Sequence, residues 1–236
     1  MRIIITIILL LNFVVGQNFP FQVGEKLVYN AKFNIIPSGI ASLEILAHDS
    51  INGNGTYHAR FTAKTNPTFD PLFKIRDQID IWMDHKSLYT HQLLKTIREG
   101  KYRKNVSTTI DYQDSLAVIN SDTVKIYDVV RDPYSLFYYL RTVSLEIGQV
   151  IEFKSFENNN TTQFKLHVNG TESVSTEAGT FSCIIVRPYR KGKALLKNKG
   201  DMQIWFSNDK NRVPVQIQIK MKFGSMLLKL KEVTVQ

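Results

Sequence analysis

The side chains that could support catalysis or bind a metal are scattered along the chain. None of its five histidines falls into an HExxH motif or a Cys/His zinc spacing. Asp77, Asp80 and Asp84 lie close in sequence, but Asp77 points away from the other two on a strand, and cross-strand pairing with Lys or Arg accounts for all three. No GxSxG, P-loop or dinucleotide glycine pattern occurs. We therefore predict no catalytic residue, no metal site and no cofactor.

Two further candidates have structural explanations. Cys183 is the only cysteine, so it cannot form an internal disulfide, and it lies in an apolar stretch where a lone Cys is usually a small buried hydrophobe. Asp209 could begin a calcium loop, but the acidic ligands that such a loop needs downstream are missing. We interpret Asp209 as part of a hairpin turn.

The first residues have the pattern of an export signal. Met1-Arg2 is a short positive segment, residues 3–15 are mostly apolar, and Val14-Val15-Gly16 suits cleavage near Gly16/Gln17. A retained N-terminal anchor is the alternative, although the apolar run is short for a span of ~20 residues. We expect a signal peptide at 1–16, a single domain at 17–236, and a periplasmic or secreted mature protein.

Most of the remaining chain alternates apolar and polar residues with the period of two that is typical of strands. Asn52-Gly53-Asn54-Gly55 is the strongest hairpin signal, and Pro37-Ser38-Gly39 also reads as a turn. About a dozen strands follow one another at spacings near ten residues. This pattern predicts an all-β, mainly antiparallel fold, either an open or a closed barrel-like curled sheet.

Residues 131–143 form the most convincing helix. Asp132 can serve as N-cap and Pro133 as the first helical residue, followed by an apolar stripe at helical spacing. An apolar helix in an all-β chain must bury its face against the concave side of the sheet. We predict that it acts as a plug or lid of the barrel, and that the chain's many aromatic residues either fill a core or line a cavity.

The helix also supplies the predicted ligand contacts, and the basic C-terminal quarter supplies the predicted surface contacts. The ligand contacts are Tyr134, Phe137, Tyr138, Leu140 and Arg141. Residues 187–236 hold twelve Lys/Arg against three acidic residues, and a second basic patch runs from Lys95 to Lys104. Such patches are typical of contacts with anionic membrane or glycan surfaces, and solubilising lysines on outward strand faces explain them equally well. The predicted surface contacts are Arg190, Lys191, Lys193, Lys197 and Lys199. We expect a monomer and no nucleic-acid partner, since no recognition helix or stacking motif occurs.

A series of short motifs resembles a known family of exported bacterial proteins. In order they are Phe21-x-Val-Gly-Glu-x-Leu-x-Tyr29, Ser38-Gly39, Asp132-Pro-Tyr-Ser-Leu-x-Tyr-Tyr-Leu-Arg141, Glu177-Ala-Gly-Thr-Phe181, and Trp205-Phe-Ser-Asn-Asp209 with Arg212-x-Pro214. Together they resemble the family catalogued as domain of unknown function 3108. The resemblance implies an envelope β-protein without an assigned activity. A looser similarity in architecture links it to the Lol lipoprotein carriers, whose open barrels hold acyl chains, and transfers no site residues.

Three functions follow as hypotheses. The leading one is non-enzymatic binding of an apolar or amphipathic envelope component. The second is a packed structural or protein-interaction module without a cavity, and the third is a hydrolase whose carboxylate site has no recognisable motif.

Overall fold

The chain folds into one curled antiparallel sheet with a single short helix. The computed structural model describes residues 19–157, 159–189 and 201–235. Within them the strands are β1 (Glu25–Phe33), β2 (Ile36–Ile51), β3 (Asn54–Thr65), β4 (Arg76–Asp84), β5 (Thr90–Glu99), β6 (Tyr102–Asp111), β7 (Leu116–Ile119), β8 (Asp122–Lys125), β9 (Val150–Glu157), β10 (Asn160–Thr176), β11 (Gly179–Tyr189), β12 (Asp201–Ser207), β13 (Pro214–Met221) and β14 (Gly224–Val235). The helix is α1 (Ser135–Thr142).

The sheet is nearly closed into a barrel. Each strand pairs with its neighbours in sequence, and β14 returns to pair with β1. β8 and β9 are the two free edges, and α1 lies in the connection between them. The prediction of an all-β barrel-like sheet is confirmed, with fourteen strands in the described residues where about a dozen were expected.

Because neighbouring strands are antiparallel, successive hairpin turns alternate between two ends of the sheet. We call one the helix end, since α1 contacts the first residues of β1 and β5 there (Glu25 and Thr90). We call the other the open end. Among the fully described turns, those at the helix end are 52–53, 85–89, 112–115, 177–178 and 208–213, and those at the open end are 34–35, 66–75, 100–101, 120–121 and 222–223.

Strand alternation and bulges together produce the curl. Along β1 and β2 every second side chain is buried, including Leu27, Tyr29, Leu43 and Ile45. The register shifts between Val28 and Tyr29 on β1 and again near Ile45 on β2. Such bulges bend a strand and increase its twist, which lets a long sheet wrap around a core.

One buried core cluster lies at the helix end. Tyr29, Ile45, Met83 and Tyr138 are almost fully buried in one cluster there. The gap between the sheet edges is bridged at this end, since the Val130 carbonyl accepts the Thr90 N–H (3.1 Å) and Arg131 N–H donates to Lys154 (2.9 Å). The helix therefore plugs one end of the barrel.

Two local predictions were wrong. The helix begins at Ser135, not at Pro133. Pro37-Ser38-Gly39 lies inside β2 and does not form the turn. The turn between β1 and β2 is Asn34-Ile35, where Asn34 adopts a left-handed φ of 53°. Gly39 serves close strand packing instead, because a Cβ there would lie 2.1 Å from the Lys64 carbonyl oxygen.

Within the part of the chain that is described, the helix falls short of the length and apolarity needed to cross a bilayer.

Candidate functional site

A large cavity lies where the sheet fails to close. It occupies about 1120 Å³ between the β5–β8 wall and the β9–β12 wall, with α1 between them. Its lining is dominated by apolar side chains from both walls and from the helix. They are Leu93, Ile97, Tyr102, Val106, Ile119, Tyr134, Leu136, Phe137, Leu140, Phe153, Phe156, Phe164, Met202 and Ile204.

Strand alternation explains how one wall presents these groups. On β5 the lining residues are Leu93, Lys95 and Ile97, and on β6 they include Lys104 and Val106. Residues two apart on a strand share one face. The concave face of this wall is therefore apolar with two lysines.

The opposite wall combines aromatic side chains with a polar segment that includes Ser155, Asn160, Thr161 and Thr162. The rings of Phe153 on β9 and Phe164 on β10 stack with their centroids 5.2 Å apart and their planes 16° apart. Met202 and Ile204 on β12 extend this surface. Two apolar walls separated by a helix make a cleft of the shape and polarity that apolar ligands occupy.

The polar groups of the cavity do not form a catalytic arrangement. Among the described residues, Asp122 is the one acidic side chain that lines it. A hydrolase of the type considered above needs two converging carboxylates. The described residues also contain no cluster of three or more His, Cys, Asp or Glu side chains placed to hold a metal ion.

Buried polar contacts fix the start of the helix. Asp132 Oδ1 accepts hydrogen bonds from the N–H groups of Tyr134 (2.7 Å) and Ser135 (3.0 Å). Its other oxygen accepts one from the Thr90 hydroxyl of β5 at 2.7 Å. Asp132 therefore fixes the turn that leads into the helix. The N-cap position is Tyr134 and no side chain caps it, so the predicted N-cap role of Asp132 is wrong.

A buried ion pair fixes the end of the helix. Arg141 donates from Nη2 to Glu25 Oε2 at 2.8 Å, and from Nε to the Asn211 carbonyl at 3.0 Å. Its side chain is 1% exposed and that of Glu25 is 8% exposed. Beside it, burial raises the pKa of Tyr138 well above its usual value, so the phenol stays neutral.

These contacts divide the five predicted ligand residues into two groups. Tyr134, Phe137 and Leu140 line the cavity. Tyr138 packs edge-on against Phe21 in the helix-end core, and Arg141 is held by Glu25. The prediction that all five share a ligand-facing surface is therefore corrected, because Tyr138 and Arg141 each lie one residue, or about 100°, round the helix from a lining residue. The predicted surface contacts Arg190, Lys191, Lys193, Lys197 and Lys199 lie outside the described residues, as does the predicted signal peptide.

Most residues that line the cavity were not predicted from the sequence, because they lie on separate strands whose pairing the sequence does not specify. Lys95 and Lys104 were noticed as the ends of a basic patch, but not as neighbours inside a cavity. Their register, with Ile97 opposite Lys104 and Lys95 opposite Val106, became visible only in the paired sheet. The available signal was the alternation of β5 and β6, which places these four residues on one face.

The histidine and cysteine candidates lie away from the cavity. His58 stacks on Trp82 (4.2 Å between centroids) and its Nε2 lies 2.9 Å from Asp80 Oδ1. Cys183 is fully buried, and burial raises the pKa of its thiol to about 11. Asp209 Oδ1 accepts hydrogen bonds from the Ser207 hydroxyl and two turn N–H groups, which is the predicted hairpin chemistry.

Comparison with known families agrees with the motifs. The sequence matches the family described as protein of unknown function (DUF3108) over residues 28–231. The chain belongs to this family. The match runs from β1 to β14 and includes α1 and the cavity lining, so the resemblance predicted from short motifs is confirmed. No curated protein matches this DUF3108 chain.

Solved structures with a similar fold come from several bacteria. A β-barrel-like protein of domain of unknown function DUF1849 from Brucella abortus has a TM-score of 0.59 and 11% identity, covering 91% of this chain and 98% of that one. A candidate lipoprotein from Parabacteroides distasonis has a TM-score of 0.42 and 13% identity, covering 92% and 97%. A candidate exported protein with a YmcC-like fold from Bacteroides fragilis has a TM-score of 0.36 and 13% identity, covering 92% and 98%. The Brucella structure supports the barrel-like fold of the DUF3108 chain and nothing beyond it.

Proposed function

We propose that this protein binds an apolar or amphipathic molecule of the bacterial cell envelope, without catalysing a reaction on it. The observation that carries the proposal is the cavity of about 1120 Å³ between two apolar walls. Ligand pockets in proteins typically measure about 300–1,000 Å³ and are mostly apolar with a few polar groups. The expected signal peptide supports an exported protein that meets such molecules in the periplasm.

The state of the lining side chains supports a ligand site over a packed core. Val106, Phe137 and Met202 face the cavity and are only half-buried, although each is a large apolar residue. Covering such groups with hydrocarbon is favourable by about 0.8 kcal/mol per buried methylene. A single acyl chain inserted between the walls would therefore gain enough free energy for stable binding.

The helix contributes as a fixed plug and not as a moving lid in this proposal. Both of its ends are tied to the sheet by buried polar contacts, through Asp132 at the start and Arg141 at the end. Breaking such contacts to open the helix costs several kcal/mol, about 3–5 for a buried ion pair alone. Ligand entry is then through the gap between the edge strands or through the open end.

The polar groups of the lining favour an amphipathic ligand. Lys95, Lys104 and Asp122 lie on the wall that carries the apolar stripe of β5 and β6. A hydrocarbon chain can contact the aromatic wall while a polar head group remains near these charges.

Titration with the apolar fluorophore N-phenylnaphthylamine tests the proposal, using two matched variants. Val106→Trp fills the cavity from β6, whereas Val118→Trp adds the same ring on β7, where Val118 is 41% exposed and does not line the cavity. We expect fluorophore affinity to fall by about tenfold or more in Val106→Trp, because the added ring occupies the space that the ligand needs, and to stay unchanged in Val118→Trp. Wild-type protein that is folded but gives no saturable binding would contradict the proposal and favour the packed interaction module.

A further inference from the structure

Four large apolar side chains project from the turns of the open end. Ile35 is 88% exposed, Phe223 is 81% exposed, Leu72 is 68% exposed and Phe73 is 46% exposed. They belong to the turns 34–35, 66–75 and 222–223. Each of these side chains leaves about half or more of its surface in solvent, and a group of exposed apolar residues at one end of a protein requires an explanation.

The turns that carry these side chains are hydrogen-bonded neighbours at the open end. The Asn34 N–H donates to the Ser225 carbonyl at 2.7 Å, which joins the turn of Ile35 to the turn of Phe223. On the other side, Asn66 donates to the Pro37 carbonyl at 3.1 Å, which joins the loop of Leu72 and Phe73 to the start of β2. This set of side chains (Ile35, Leu72, Phe73 and Phe223) is called the apolar tips below.

Exposed lysines accompany the tips in the same turns or next to them. They are Lys32, Lys74, Lys101 and Lys222. Among the acidic side chains at this end, Asp70 is paired with Arg76 at 2.7 Å, whereas Asp122 and Asp201 are exposed at the first residues of β8 and β12, outside the turns that carry the tips. Apolar side chains surrounded by lysines are the combination that places a protein at the interface of an anionic membrane.

The turns of the helix end are built differently. Their exposed residues are polar or charged, as in Asn52-Gly53, Lys86, Asp114, Glu177 and Lys210. The exposed large apolar groups at that end lie in strand ends or in the connections on either side of the helix, and none lies in a described hairpin turn. They are Tyr127, Val129, Ile147, Val150, Val233 and Val235. The apolar tips are thus a property of one end of the sheet and not of its turns in general.

We propose that the open end docks on the surface of a lipid bilayer that contains anionic head groups. The apolar tips enter the boundary between head groups and acyl chains, and the lysines contact the anionic head groups. Tyr102 and Asn120, in or beside open-end turns, also line the cavity. Docking would therefore bring the cavity against the membrane, where an amphipathic molecule could transfer directly. The docking surface stands on the tips alone and does not require that the cavity bind a ligand.

Co-sedimentation of the purified protein with vesicles tests the docking surface. The vesicles are pure phosphatidylcholine or a mixture of phosphatidylcholine and phosphatidylglycerol. We expect binding to the mixed vesicles, weaker binding to the neutral ones, and loss of the charge-dependent part at high salt.

Matched variants locate the contact. Phe223→Ser is paired with Tyr127→Ser, since Tyr127 is 82% exposed at the helix end, and Leu72→Ser is paired with Ile147→Ser, since Ile147 is 64% exposed outside the open-end turns. Each tip substitution should weaken binding to mixed vesicles by about fivefold to tenfold, because it removes apolar area that insertion buries. The controls should bind like wild type. All four variants should keep the wild-type melting temperature, because no exposed group supports the core.

Any of three vesicle results would overturn the docking surface: no binding of wild type to mixed vesicles, equal losses in tip and control variants, or full binding in a Phe223→Ser/Leu72→Ser double variant. Stoichiometric capture of a protein partner through the tips without vesicle binding would overturn it as well. N-phenylnaphthylamine titration without vesicles reports on the cavity separately, so failure of docking and failure of ligand binding are distinguishable.

Discussion

The helix end and the open end of this barrel are made from the same antiparallel hairpins, but they differ in what their residues contact. At the helix end, Asp132 and Arg141 are buried with hydrogen-bond partners, and the turns are polar. At the open end, large apolar side chains are exposed at the turns. Apolar side chains that line the cavity are also left partly uncovered. In our proposal, the buried polar contacts of the helix end stabilise the fold, and the open end is the part that contacts a ligand and a membrane.

The largest expected effect is at the buried ion pair of the helix end. Glu25→Ala leaves the Arg141 guanidinium buried without its carboxylate, and should lower the free energy of unfolding by about 3–5 kcal/mol. Urea denaturation followed by circular dichroism measures the change. The control is Glu44→Ala, which breaks the exposed Lys26–Glu44 pair (3.0 Å) on the neighbouring strand and should cost less than about 1 kcal/mol. Equal effects of the two substitutions would show that the buried pair does not anchor the helix.

The same leucine substitution at both ends should give a smaller but clear contrast. Leu140 is 0% exposed on α1 and Leu72 is 68% exposed at the open end. Leu140→Ala should lower the free energy of unfolding by about 2–4 kcal/mol through lost packing and the cavity it leaves. Leu72→Ala should change it by less than about 0.5 kcal/mol. If Leu72→Ala is as destabilising as Leu140→Ala, the open end is part of the structural core and the contrast fails.

The smallest expected change in stability is at Asp80, which lies on the outer face of the sheet midway between the two ends. Burial opposes ionisation of Asp80, but hydrogen bonds outweigh it and lower the pKa of Asp80 below its ordinary value of 3.8. The donors are Gln78, His58 and Arg60. Because the folded pKa is lowered, the stabilisation is present above the ordinary pKa and is lost as the pH falls through the folded pKa.

Comparison of wild type with Asp80→Asn between about pH 6 and about pH 3 measures this contribution. The stability advantage of wild type should be about 1 kcal/mol or less at the higher pH, since Arg60 is partly solvated, and should shrink at the lower pH. Asp114→Asn at an exposed turn is the control. An advantage that grows on acidification would contradict the lowered pKa.

The sequence predicted the fold well because strand alternation is a local signal. Ala41, Leu43 and Ile45 of β2 are buried with the period of two, and the Asn52-Gly53 turn lies where its residues favour positive φ. The turn at Asn34-Ile35 was missed because Pro37 and Gly39 resemble turn chemistry. Gly39 is needed for the close approach of Lys64, a contact between strands that no local pattern reveals.

The cavity and the apolar tips could be predicted only in part, because both depend on which strands pair with each other. The apolar stripe of α1 identified Tyr134, Phe137 and Leu140, but the partner of Arg141 is Glu25, far away in sequence. Ile35 and Phe223 were visible as apolar residues next to turn residues. Their meeting at one end follows from the pairing of β1 with β14, which composition and spacing do not specify.

Mass spectrometry of solvent extracts from protein purified out of its native envelope fraction tests the central claim most directly. The account predicts one amphipathic molecule per chain in wild type, and a reduced amount in Val106→Trp but not in Val118→Trp. Folded wild-type protein that yields no such molecule would contradict the account, and would leave the cavity without a role as a ligand site.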